Sequence, residues 1–160
     1  MNYPAQIIVN VLHREFPDLA IKVINRIREQ LPDSTFHNLE IIEGIVDTFC
    51  QVMGVTKAQL YNAEMIKSNT HMRRILIGVI MKLYQPELIV GMIDGYMDSN
   101  ITKQLILILK ISRVTISFDV KRSIKFYQLY SDFKEEVDNI YNIIIEQYGT
   151  EKVESTAKAI

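Results

Sequence analysis

The sequence has a single cysteine, Cys50. No disulfide can close within the chain, and a reducing, cytoplasmic setting is expected. His13, His37 and His71 share no ligand spacing with one another or with Cys50, so no metal site is expected. Glycine and proline are scarce, at 6 and 4 in 160 residues, which suits helices and argues against a turn-rich sheet fold. No apolar run approaches the roughly 18 residues that cross a bilayer. The unbroken run Leu105 to Leu109 stops after five. The first apolar stretch, Ala5 to Leu12, has no basic leader and is interrupted by Asn10, so neither a signal peptide nor a membrane partner is expected. No G-x-x-x-x-G-K-[ST] loop occurs. No carboxylate pair stands out as an acid–base couple, and Cys50, between Phe49 and Val52, reads as a small core residue. The chain is therefore expected to be a non-enzyme, with no catalytic residues, cofactor, metal or small-molecule substrate.

Apolar residues make up 48% of the sequence, enough for a chain of this length to bury a core without staples. Their spacing predicts an all-α fold of seven to nine helices. A first helix is expected from Pro4 to Phe16. A second starts at Asp18 and carries the stripe Leu19, Val23, Ile24, Ile27 and Leu31. A third runs from Asn38 to Met53, buries Ile41, Ile45 and Phe49, and is closed by Gly54. Thr56 caps a short helix through Tyr61. Ser68 to Thr70 read as a break before a helix from His71 to Tyr84. Pro86 opens another that ends near Asp98. A last helix starts at Ser131, carries Phe133, Val137, Ile140 and Ile144, and stops at Gly149. This divides the chain into an N-terminal helical pair at 1–36, a helical domain at 37–148 and a polar tail at 149–160.

The net charge of −1 says little, because the distribution is uneven. Between Ile101 and Lys125 the basic residues Lys103, Lys110, Arg113, Lys121, Arg122 and Lys125 face one acid, Asp119, giving +5; the remainder is −6. The same stretch reads as two helices joined by a tight turn. Asn100 or Thr102 caps the first helix. Leu105, Ile106, Leu109 and Ile116 join the two. Lys110, Ile111 and Ser112 make the turn, and a second helix from Arg113 buries Ile116 and Val120. A short apolar run such as Leu105 to Leu109 also suits a buried strand.

Leu109-Lys110-Ile111-Ser112-Arg113-Val114-Thr115-Ile116-Ser117-Phe118-Asp119-Val120-Lys121-Arg122 resembles the helix-turn-helix of bacterial regulators, with its pattern L-G-I-S-R-x-T-V-S-x-D-I-K-R. Lys110 stands where that pattern has glycine. The resemblance implies a helix read into the major groove of double-stranded DNA. Arg113, Thr115, Ser117 and Phe118 would face bases. Lys110, Lys121, Arg122 and Lys125 would hold phosphates, joined by Arg73 and Arg74 (with Lys67) at the start of an earlier helix. A wider resemblance, over residues 41 to 140, is to the C-terminal DNA-binding domain of the bacterial replication initiator DnaA, which is related in fold to the Trp repressor. It rests on Met53-Gly54-Val55-Thr56-Lys57-Ala58-Gln59-Leu60-Tyr61, on the helix containing Arg73, and on the spacing from Ile116 to Phe133. The signature G-G-R-D-H-T-T is absent apart from Thr115, and Pro86 to Met97 reads as an insertion, so origin function does not carry over.

The expected role is thus a DNA-binding regulator or replication accessory factor. The alternative is a helical protein-interaction module that has lost DNA. The stripe on the last helix suits packing on the core or on a second copy, so a homodimer is an open possibility.

Overall fold

The computed structural model describes residues 3–30, 33–61 and 67–158. Among them there is no strand, and the chain divides into two compact units, Met1–Pro32 and Asp33–Ile160. The boundary falls before the expected 36/37 because Phe36 belongs to the second core. Phe36 is buried, and the backbone N–H groups of Thr35 and Phe36 both donate to the Leu83 carbonyl.

The first unit is a helical hairpin of α1 (Ala5–Glu15) and α2 (Pro17–Gln30). Pro17 sets the corner: a residue before proline is driven out of the helical region, and Phe16 sits at φ −135°, ψ 62°. Proline itself is tolerated in the first turn of α2. Among the described residues of this unit Ala20 is the buried apolar one, while Leu19, Val23 and Ile27 of the expected stripe are exposed. Leu31 lies outside the described residues. On α1 and at its two ends, Tyr3, Ile7, Ile8, Val11, Leu12 and Phe16 line one apolar groove.

The second unit opens with a 3-10 turn at Leu39–Ile41, capped by the Asn38 side chain, which accepts from the Glu40 N–H at 2.9 Å. Then come α3 (Ile42–Met53), α4 (Lys57–Tyr61), α5 (Lys67–Tyr84), α6 (Pro86–Ile89), α7 (Ser99–Leu109), α8 (Arg113–Leu129) and α9 (Ser131–Lys158). Gly54 ends α3 at φ 66°, a left-handed position that costs glycine nothing. Thr56 and Gln59 form a reciprocal cap on α4. The Gln59 N–H donates to Thr56 Oγ1 at 3.2 Å and the Thr56 N–H to Gln59 Oε1 at 2.8 Å.

Helix α5 is the central rod, and α3, α4, α6, α8 and α9 all pack on it. Its run Ile75 to Ile80 is buried on every side, as a helix enclosed by neighbours must be. Phe133, Val137, Ile140 and Ile144 of α9 are buried in the same core, so that stripe is spent inside the chain and offers no dimer face. The Leu105–Leu109 run is helical, within α7. Cys50 is buried beside Phe49, and burial raises its thiol pKa. A polar cluster ties α5, α8 and α9: Asp138 accepts from Lys82 Nζ at 2.5 Å and from the Tyr127 hydroxyl at 2.8 Å. Burial and the Asp138 carboxylate push the Tyr127 phenol upward, so it stays protonated and donating.

Three boundaries differ from expectation. Helix α5 begins before Ser68, so Ser68 to Thr70 are helical. Helix α9 runs through Gly149 to Lys158 in place of a separate tail. The segment opened by Pro86 stops at Ile89 and becomes a loop as far as Asp98, because Gly91 (φ 73°) and Gly95 (φ 152°) leave the helical region. Gly91 is also held close to α8, where an added Cβ would run into the Gln128 side chain. Gly91→Ala is predicted to destabilise the protein by about 1–2 kcal/mol, the cost of forcing a side chain into left-handed backbone. An unchanged urea midpoint would show that the loop accommodates the methyl.

Candidate nucleic-acid interface

Helices α7 and α8 meet through a three-residue turn, and each turn residue has its own task. Lys110 is the sole described non-glycine residue at positive φ (51°, ψ 38°), and its N–H closes α7 on the Ile106 carbonyl. Ile111 is buried under the corner. Ser112 caps α8: its Oγ accepts from the Thr115 N–H at 3.1 Å and shares a hydrogen bond with Thr115 Oγ1 at 2.9 Å. The start of α7 is capped by Asp98, ahead of the expected Asn100 or Thr102. The Asp98 carboxylate accepts from the N–H groups of Asn100 and Ile101, and the Thr102 hydroxyl turns back to the Asp98 carbonyl. Leu105, Leu109 and Ile116 are buried between the helices, and Ile106 is half-buried beside them.

Helix α8 has one inward face: Ile116, Asp119, Val120, Ser123 and Tyr127. Asp119 sits in it with a side chain 3% exposed, and its carboxylate accepts from Arg73 Nε at 2.5 Å and Arg74 Nε at 3.2 Å. Arg73 is equally buried and also donates to the Leu60 carbonyl, while Arg74 stacks its guanidinium 5.7 Å from the centre of the Phe126 ring. Ser123 Oγ adds a hydrogen bond to the Arg74 carbonyl at 2.8 Å. Of the two arginines expected as phosphate contacts, Arg73 is therefore buried, while Arg74 is about a quarter exposed with its Nε engaged by Asp119, and both brace α8 against α5. Buried charge has to be paired, and these two arginines neutralise the one acid of α8. The Lys67 side chain lies outside the described residues.

The 100° step of a helix puts Val114, Phe118, Lys121 and Lys125 opposite that inward face. All four are exposed, Val114 at 67% and Phe118 at 63%. Arg113 and Arg122 are exposed to either side, and Ser117 is half-buried. Among the described residues, Arg113, Lys121, Arg122 and Lys125 form no ion pair. Thr115, expected as a base contact, is half-buried and engaged in the cap with Ser112. Lys110 is exposed at the corner, with its Nζ 5.8 Å from the centre of the Tyr61 ring.

The loop between α6 and α7 lies along one side of α8. Gly95, Tyr96 and Met97 share a cleft with Arg113, Ser117 and Lys121; Ile93, Asp94 and Gly95 share another with Lys121, Lys125 and Gln128. Sequence reasoning missed Val114, Tyr96 and the loop. Val114 was available in principle, since it stands four residues before Phe118 and opposite Ile116 and Val120.

No family of known proteins, no curated protein and no solved structure matches the chain.

Asp119→Ala is predicted to destabilise the protein by about 3–5 kcal/mol, because it leaves the buried Arg73 charge uncompensated. A denaturation midpoint within error of the parent would refute a structural role for the pair. Lys110→Gly is predicted to stabilise by about 0.5–1 kcal/mol, by relieving left-handed backbone at the turn. A lowered midpoint would instead assign net stabilisation to the lysine side chain over Tyr61.

Proposed function

We propose that this protein binds double-stranded DNA without catalysing a reaction, by laying α8 in the major groove, and acts as a regulator or replication accessory factor. The observation that carries the reading is the charge of α8: its one acid is buried and paired, so the exposed charges of that helix are all cationic. A helix about 10–12 Å across with its side chains fits a groove about 12 Å wide. The three-residue turn between α7 and α8 and their shared buried contacts support the same reading, as does the resemblance of this segment to regulator helix-turn-helix motifs.

Arg113, Ser117, Val114 and Phe118, in the first turns of α8, are the base-facing set. Lys110, Lys121, Arg122 and Lys125 are the phosphate set. Arg73 leaves it because it is buried and Arg74 because its guanidinium is engaged by Asp119, and Thr115 serves the cap. A helical protein-interaction module is the second reading, favoured by the exposed apolar groove on α1. It predicts a protein partner whose capture is insensitive to Lys121→Glu with Arg122→Glu.

Fluorescence anisotropy with mixed-sequence duplex DNA at several salt concentrations tests the first reading. Four phosphate contacts predict a log–log slope of about −3.6, hence about a 10²-fold loss of affinity between roughly 50 and 200 mM salt. The Lys121→Glu, Arg122→Glu variant is expected to abolish binding. Arg113→Ala is expected to cost about 1–3 kcal/mol on a preferred site if it reads guanine. Absence of binding at low salt would refute the proposal.

A further inference from the structure

We infer that α8 reads thymine methyl groups through Val114 and Phe118, so that the preferred DNA site carries thymines within about two base pairs of each other in its core. The inference rests on the DNA-binding reading above and adds the base it selects.

Val114 and Phe118 are the most outward apolar side chains of α8 and lie one turn apart. With Arg113, Ser117 and Lys121 they line one shallow depression. Cations therefore border an apolar floor, a combination that suits a polyanion with an apolar feature at its centre. Neither Val114 nor Phe118 can donate or accept a hydrogen bond. Pressed against the donors and acceptors of a G·C edge, they would strip water from polar atoms and give nothing in return. The thymine C5-methyl is the apolar feature that the major groove displays, and it is met there by apolar side chains.

Spacing adds a constraint. Four residues of helix rise about 6 Å, against about 3.4 Å between successive base pairs. The two side chains thus span at most about two base-pair steps. Asp119, the one carboxylate of α8 and the residue best suited to accept from cytosine, is turned away and engaged by Arg73 and Arg74. Arg113, at the edge of the depression, remains free to contact a flanking guanine.

The experiment is selection of duplexes from a randomised library with the full chain at low salt, followed by titration of the selected duplex and of its copy carrying deoxyuridine for each core thymidine. Uridine keeps the base pairing and every hydrogen-bonding edge and removes only the methyl. Each contacted methyl is expected to contribute about fourfold in affinity, so loss of two costs about 15-fold. Phe118→Ala and Val114→Ala are expected to weaken binding to the thymidine duplex and to lose little further on the deoxyuridine copy. Both side chains are exposed, so both variants should retain the helical circular-dichroism spectrum of the parent. Equal affinity for the two duplexes overturns the thymine assignment and leaves DNA binding standing. No duplex bound at any salt concentration overturns the DNA reading and this inference with it.

Discussion

The buried carboxylate of Asp119 is the constraint on which the rest of α8 turns. A helix packed by apolar residues alone can rotate or slide by a fraction of a turn at modest cost, because one aliphatic contact substitutes for another. A charge at 3% exposure cannot. It has to meet Arg73 and Arg74, which project from successive positions of α5, and it meets them in one rotation of α8. Such a pair is weak evidence for stability, since desolvation offsets most of the attraction, but it fixes register. Because a helix turns by about 100° per residue, fixing Asp119 inward also fixes Val114, Phe118, Lys121 and Lys125 outward. The same interaction removes the negative charge from the face it orients.

The α7–α8 corner was legible in the sequence because each of its residues has a local reason to be there. Ser112 caps, Ile111 goes under, Ile116 and Val120 follow at helical spacing, and Lys110 stands where a left-handed residue is needed. The apolar periodicity of α3 and α9 was equally readable, since burial on one face of a helix leaves a mark at every third or fourth position. What could not be read is the pairing of distant charges. Arg73 and Arg74 look like free cations until Asp119, 46 and 45 residues away, is brought to them. The loop after Ile89 was misread for a different reason. Gly91 and Gly95 are compatible with a weak helix, and only their positive φ values, with the close approach of Gln128 to Gly91, show that both adopt other conformations.

Two kinds of apolar surface divide the chain. In the second unit the stripes are spent inward: that of α9, which suits a partner as well as it suits a core, is buried against α5 and α3. In the first unit the hairpin holds little of its apolar surface away from solvent, and Ile7, Ile8, Val11 and Phe16 stay exposed. Chains below about 40 residues seldom stabilise themselves. The hairpin accordingly buries less of its apolar surface than the second unit does.

The placement of Tyr96 has a practical side. The protein contains no tryptophan, so its intrinsic emission comes from tyrosines spread through the fold. Tyr96 is 77% exposed and stands in the cleft beside Arg113 and Lys121. A tryptophan at that position would be the only indole in the chain, seated at the rim of the α8 surface without entering the core. Its emission would act as a native optical gauge of the polarity next to that helix, free of any attached dye.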